Sequence, residues 1–310
     1  VRSRRWLGFA QWLLGLLVVV FVTRFVVANW DQVRHADLAW RLSVPYLVGG
    51  VALVWVAFAL LAESWRRMVG GWGHAIGPIE AARIWLLSSM AKYVPGKVWA
   101  LAGMAVLARE RGVPPWAAAG SAVLLQILAL GTGALTVATT GIAATGHLGQ
   151  ESGLGYRGLL IVAGVAAGLI LVLLWPPVAR RLLAALTGEG RPQHTPGASE
   201  VGLGIVTNLI AWLAYGAAFW LFARGSLPQV PLTLIESVSA YTASYVAGII
   251  APLAPAGLGV REGVLILVLR ERTGLASALA LAAVARLGMT AAEVAAVIPF
   301  LLKRRLPQHD

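Results

Sequence analysis

The chain has 310 residues, 59% of them hydrophobic and 12% charged, with a formal net charge of +12 and no cysteine. A soluble domain usually carries about twice that charged fraction, and apolar runs of roughly 20 residues match the length of a bilayer-crossing helix. This composition excludes a soluble fold, a disulfide and a thiolate metal site. The positive charge sits mostly in short loops at helix ends, which points to topology signals and anionic lipid rather than nucleic acid.

In chain order, Arg2, Arg4 and Arg5 precede an apolar stretch that is longer than a signal-peptide core, so it reads as an uncleaved first span. Six segments are long enough to cross a membrane: about 8–28, 45–62, 116–143, 157–176, 202–223 and 276–301. The expected fold class is therefore all-α and polytopic. Two further apolar regions are interrupted. Region 79–108 is broken at Tyr93-Val94-Pro95-Gly96, and region 232–270 at Ala251-Pro252-Leu253-Ala254-Pro255-Ala256-Gly257. Such breaks free backbone groups that lipid cannot satisfy, so they must lie within protein or line a wet cavity. Both regions are read as re-entrant helical hairpins.

With the N-terminus cytoplasmic and both hairpins re-entrant, thirteen Lys and Arg fall on the inner side and six on the outer. This asymmetry favours cytoplasmic termini in a multi-pass protein of the cell membrane. The two broken regions also resemble each other. Glu80 leads through its break to Arg109-Glu110-Arg111, and Glu236 leads through its own to Arg270-Glu271-Arg272. Span, hairpin, span then occurs twice with opposite orientation, over 45–143 and 202–301, as in transporters built from inverted repeats. The polar stretch 187–200 reads as a linker between the halves.

Three constellations carry charge into the apolar regions. Lys92-Tyr93-Val94-Pro95-Gly96-Lys97-Val98-Trp99 brackets the first break with two lysines. A cation at such depth is costly unless it meets a partner or a cavity, although both lysines could instead snorkel to an interface. Gly96-Lys97 is not a phosphate-binding P-loop, because the upstream glycine is missing and Val98 occupies the magnesium-ligand position. Pro255-Ala256-Gly257-Leu258-Gly259-Val260-Arg261-Glu262-Gly263 forms the second, with a helix start near Leu258 whose free N–H groups suit an anion. Arg286 and Glu293, seven residues apart in the last span, share one helix face and form the third. Arg286 is a candidate partner of Glu262, and Glu293 of Lys97 or Arg261. Tyr241, Thr242, Ser244 and Tyr245 are candidates for a polar wall in one hairpin arm. The five histidines are scattered through loops, so no metal site is expected. No nucleophile–base pair or carboxylate dyad emerges, which argues against an enzyme and against a cofactor.

The motif from Lys92 to Trp99, the stretch Arg109 to Val113, and the motif from Pro255 to Gly263 resemble the transmembrane domain of bacterial lysylphosphatidylglycerol synthases, and Arg286 and Glu293 suit it. The resemblance covers essentially the whole chain. It implies a flippase-like domain that moves a lipid between leaflets, here without the synthase domain that loads lysine from charged tRNA. The lipid itself is not inherited with the fold.

The expected function is thus lipid translocation through a polar groove at the two hairpin tips. Its candidate substrate-binding residues are Lys92, Tyr93, Pro95, Gly96, Lys97, Gly257, Gly259, Arg261, Glu262, Arg286 and Glu293. The expected partners are membrane lipids with a phosphate-bearing headgroup, and further candidates are a second copy of the chain or a lipid enzyme. A membrane-embedded scaffold for a lipid synthase or glycosyltransferase is the alternative reading.

Overall fold

A computed structural model of the chain describes residues 38–93, 98–145, 196–251 and 254–303, together with Gly168. The expected spans 8–28 and 157–176, and most of the linker 187–200, lie outside the described residues. So does the first hairpin tip, Val94-Pro95-Gly96-Lys97.

The described residues form eight α-helices and no strand. They are α1 (Val44–Gly71), α2 (Pro78–Ser89), α3 (Val98–Arg109), α4 (Pro115–Thr145), α5 (Ala198–Ser226), α6 (Leu234–Ile250), α7 (Val260–Thr273) and α8 (Leu275–Lys303). Short 3-10 turns cover Met90–Tyr93 after α2 and Pro255–Gly257 before α7. Four helices, α1, α4, α5 and α8, are long and apolar enough to cross a membrane. Each coincides with an expected span.

One boundary differs for a physical reason. The first of these four was expected to stop at residue 62, ahead of Glu63, Arg66 and Arg67, yet α1 continues to Gly71. One carboxylate is shared by both guanidiniums on the helix itself. The Glu63 carboxylate accepts from Arg66 at 2.6 Å and from Arg67 at 2.7 Å, at the three- and four-residue spacings that place side chains on one face. They decorate a continuing helix rather than end it.

The interrupted regions fold as two pairs of short helices. α2 and α3 have 12 residues each, about 18 Å of helix against a hydrocarbon core of about 30 Å. α6 and α7 have 17 and 14 residues. α2 packs on α3 and α6 on α7, and the two 3-10 turns touch each other. A Glu–Arg pair closes each mouth: Glu80 near the start of α2 meets Arg111 just beyond α3 at 3.2 Å, and Glu236 near the start of α6 meets Arg272 at the end of α7. Both glutamates are the third residue of their helix, near its positive end, and the Glu236 carboxylate also accepts from the Thr233 N–H at 2.9 Å.

Two apolar cores flank this arrangement, and α1 contributes to both. Trp65, Met68 and Val69 of α1 pack with residues of α2, α3 and α4. Val54 and Ala57 of α1 join residues of α5, α6, α7 and α8. Close approach depends on glycine: Phe222 of α5 lies between Gly50 of α1 and Gly288 of α8, and a Cβ at either glycine would come within 2.7 Å of its ring. Several tryptophans act as interhelical ties as well as surface residues. The indole N–H of Trp55 donates to the Ala292 carbonyl at 2.9 Å, Trp65 to Ala118 at 3.3 Å and Trp212 to Ala129 at 3.2 Å.

Candidate functional site

Where the two turns meet, the helices enclose a small chamber of about 40 Å³, room for about three waters. Its charged lining is Lys92, Arg261, Glu262, Arg286 and Glu293, and its aromatic lining includes Phe58, Tyr93, Tyr215, Tyr241 and Tyr245.

Local geometry explains each position. At the first hairpin, the 3-10 turn has three residues per turn, so Ser89 and Lys92 fall on one line. Both reach Glu293 of α8. The Lys92 ammonium donates to its carboxylate at 2.6 Å, the Ser89 hydroxyl at 3.2 Å and the Tyr93 hydroxyl at 2.9 Å. Glu293 is only 4% exposed. A carboxylate at that depth is tolerable because a cation and two hydroxyls satisfy it.

At the second hairpin the backbone is unusual. Ala256 has φ 50, Gly257 φ 68 and Gly259 φ 78, a run of left-handed residues that turns the chain sharply into α7. Gly257 serves a second purpose. Together with Gly248 on α6 it forms a slot for the Arg261 stem, since a Cβ on either would lie within 2.9 Å of the Arg261 methylenes. The Arg261 guanidinium then lies 4.0 Å from the Tyr245 ring centre and 5.5 Å from that of Tyr241, and donates to the Tyr241 hydroxyl at 2.7 Å. Such faces stabilise a cation by about 0.5–2 kcal/mol.

Arg286 of α8 joins the two hairpins. It pairs with Glu262 at 3.4 Å, donates to the Ala256 carbonyl at 3.4 Å, and lies 5.9 Å from the Tyr93 ring centre.

The structure thus brings together Lys92, Tyr93, Arg261, Glu262, Arg286 and Glu293, and places Gly257 and Gly259 in the backbone that presents them. The expected Arg286–Glu262 pair is present. One expectation is corrected: Glu293 pairs with Lys92 rather than with Arg261, because the 3-10 turn carries Lys92 to α8, while Lys97, the other expected partner, lies outside the described residues. At the start of α7 the Glu262 carboxylate accepts from the Gly259 N–H at 2.6 Å, so one of the N–H groups there is capped internally. Pro95, Gly96 and Lys97 lie outside the described residues. Tyr241, Ser244 and Tyr245 line the chamber as a polar wall, whereas Thr242 is buried elsewhere in the packing. Tyr215 of α5, stacked on Tyr245 with ring centres 6.1 Å apart, was missed, as were Ser89 and Thr290. A tyrosine in the middle of an apolar span was the available signal for Tyr215.

Among the described residues, four helices long and apolar enough to cross a membrane, two short helical pairs and an internal charged chamber define a multi-pass helical membrane protein. Compared with protein-family profiles, the chain matches the lysylphosphatidylglycerol synthase TM region over residues 12–294. The chain belongs to that family. No curated protein matches it.

Proposed function

We propose that the protein is a lipid translocase, and that the chamber between the hairpin tips receives a phosphate-bearing headgroup. The observation that carries this reading is the charge balance of the chamber. Among the described residues it is lined by three cations and two carboxylates. Lys92 is neutralised by Glu293 and Arg286 by Glu262. Arg261 has aromatic faces and a hydroxyl around it, with no carboxylate in salt-bridge contact among the described residues. A surplus cation within a membrane protein is expensive until an anion joins it, and a single phosphodiester supplies one negative charge and acceptors suited to a guanidinium.

In this reading the short helix pairs are re-entrant hairpins entering from opposite sides. Supporting it are their lengths, the contact between their tips, and the equivalent Glu80–Arg111 and Glu236–Arg272 closures. Pro78-Ile79-Glu80 and Leu234-Ile235-Glu236 open the two units alike, as expected of an inverted repeat. A chamber of about 40 Å³ is too small for a headgroup, so translocation requires the hairpins to part. Rocking of one unit against the other would expose Arg261 to each leaflet in turn.

The test is reconstitution of the purified protein into liposomes with a panel of headgroup-labelled lipids, beside Arg261→Gln and Arg261→Lys. Selective translocation should fall at least about tenfold in Arg261→Gln, the loss of one charge-assisted hydrogen bond. Unchanged translocation in that variant, or none of any lipid by folded protein, would remove the proposal.

A further inference from the structure

A second cavity lies beside the chamber and has the opposite chemistry. Its volume is about 240 Å³, and it is bounded by α1, α2 and α8, with Trp55, Phe58, Ala59, Leu86, Ala296 and Pro299 among its walls. Among the described residues no charged side chain lines it. Three observations say what belongs there. Phe58 is a wall of both cavities, so the apolar cleft adjoins the charged one. The cleft runs away from the chamber along two helices at once: Leu86 lies one turn before Ser89 on α2, and Ala296 and Pro299 lie beyond Glu293 on α8. Its outer side is open, since Trp55, Ala59 and Pro299 are exposed on helices long and apolar enough to cross a membrane. There the adjoining medium is hydrocarbon.

The cleft is also kept open by composition. Alanines at 59 and 296 leave space that larger residues would fill, and Pro299 at the cleft wall cannot donate the helical hydrogen bond to the Ala295 carbonyl. From Glu293 to Pro299 the helix rises about 9 Å, enough for the upper part of an acyl chain and too little for a packed helix.

We infer that this cleft holds one hydrocarbon chain of the lipid whose phosphate lies in the chamber, an inference that rests on the headgroup reading above. The protein thus grips its lipid at two points of opposite polarity, with Phe58 at the junction. Recognition then depends on the tail as well as the headgroup. A lipid with tails too short to reach past Glu293 gains nothing from the cleft.

The experiment uses the full chain in vesicles of phosphatidylglycerol doped with a phosphatidylglycerol that carries a photoactivatable diazirine partway along one acyl chain. Adducts should map to peptides containing Trp55 or Ala296, and their yield should fall about fivefold or more in both Ala59→Trp and Ala296→Trp. Translocation of long-chain over dihexanoyl lipid should lose its preference in the same variants, with short-chain translocation retained. Ala59 is exposed, so its variant serves if Ala296→Trp fails to fold. Adducts confined to other surfaces, or unchanged in both variants, would overturn the inference, as would a cleft filled by residues 8–28 of the chain itself. Cleft adducts without any translocation would support the tail site and remove the translocase reading. Translocation without cleft adducts would do the reverse.

Discussion

The Glu293 carboxylate on α8 accepts from the Lys92 ammonium at 2.6 Å across 201 residues of sequence, tying the last helix to the first hairpin. Seven residues earlier, Arg286 ties the same helix to the second hairpin through Glu262 and the Ala256 carbonyl. α8 is therefore a strap across both tips, and separating the hairpins requires at least one of these pairs to open. Because the pairs are largely removed from water, each is neutral only while both partners remain.

Glu293→Gln should consequently lower stability by about 1–3 kcal/mol, the cost of leaving the half-buried Lys92 without its counter-charge. Lys92→Met should do the same. The double variant should lose less than the sum, with a coupling above about 1 kcal/mol. Thermal unfolding of the four proteins in one detergent completes the cycle. Strict additivity would mean that Lys92 reaches solvent and the contact carries no energy.

The glycines of α5 allow a sharper test of helix packing, since two of them predict opposite signs. A Cβ at Gly216 would lie 2.4 Å from the Val238 Cα of α6, a backbone atom that no side-chain rotation can move. Gly216→Ala should therefore destabilise by about 1–3 kcal/mol. At Gly202 no described atom lies within 4 Å of the added Cβ. Gly202→Ala should stabilise by up to about 1 kcal/mol through helix propensity alone. Unfolding midpoints that shift in the same direction for both would contradict the α5–α6 contact.

Much of this architecture was legible before the structure because membrane spans obey one strong rule, the continuous burial of apolar length. α4, α5 and α8 fall within a few residues of their expected bounds. α1 ran long because charges that pair with one another along the helix look, in sequence, like an interface. The site was legible as a set of charges, and of its pairs only Arg286–Glu262 was readable in advance. That Arg286 and Glu293 share a face follows from helical period; that Glu293 selects Lys92 follows from one 3-10 turn, whose register no pattern announces. Glu262 shows the same limit. Its position suited both an ion pair and a helix cap, and it makes both, one oxygen to Arg286 and the other to Gly259.

The tyrosines around Arg261 should separate stability from lipid affinity. Tyr241→Phe keeps the ring and removes the hydroxyl that accepts from the guanidinium at 2.7 Å. Stability should fall by about 1 kcal/mol, while the released N–H becomes free to serve a phosphate, so apparent lipid affinity should hold or rise. Tyr245→Leu removes the face 4.0 Å from the guanidinium and leaves the cation less well placed. Here both stability and affinity should fall. Titrating lipid-dependent thermal shifts in the two variants distinguishes the patterns, and equal loss of affinity in both would show that the hydroxyl does not compete with the headgroup.

The second tip carries a strain that substitution can read directly. Ala256 holds φ 50 and ψ 21, a left-handed conformation that costs an L-residue about 1–2 kcal/mol, and its carbonyl in that pose accepts from Arg286. Glycine adopts the same geometry without steric cost but loses more freedom on folding, by about 0.5–1 kcal/mol. Ala256→Gly should therefore be neutral to slightly stabilising, by at most about 1 kcal/mol. A β-branched residue there is a genuine outlier, so Ala256→Val should lose about 2 kcal/mol or more. It should also weaken the Arg286 contact, because relief of the clash moves the carbonyl away. Unfolding measurements that rank glycine at or above alanine and alanine well above valine support the left-handed tip. Valine tolerated as well as glycine would mean that residue 256 is extended or helical in the folded protein, and that Arg286 braces the second hairpin through Glu262 alone.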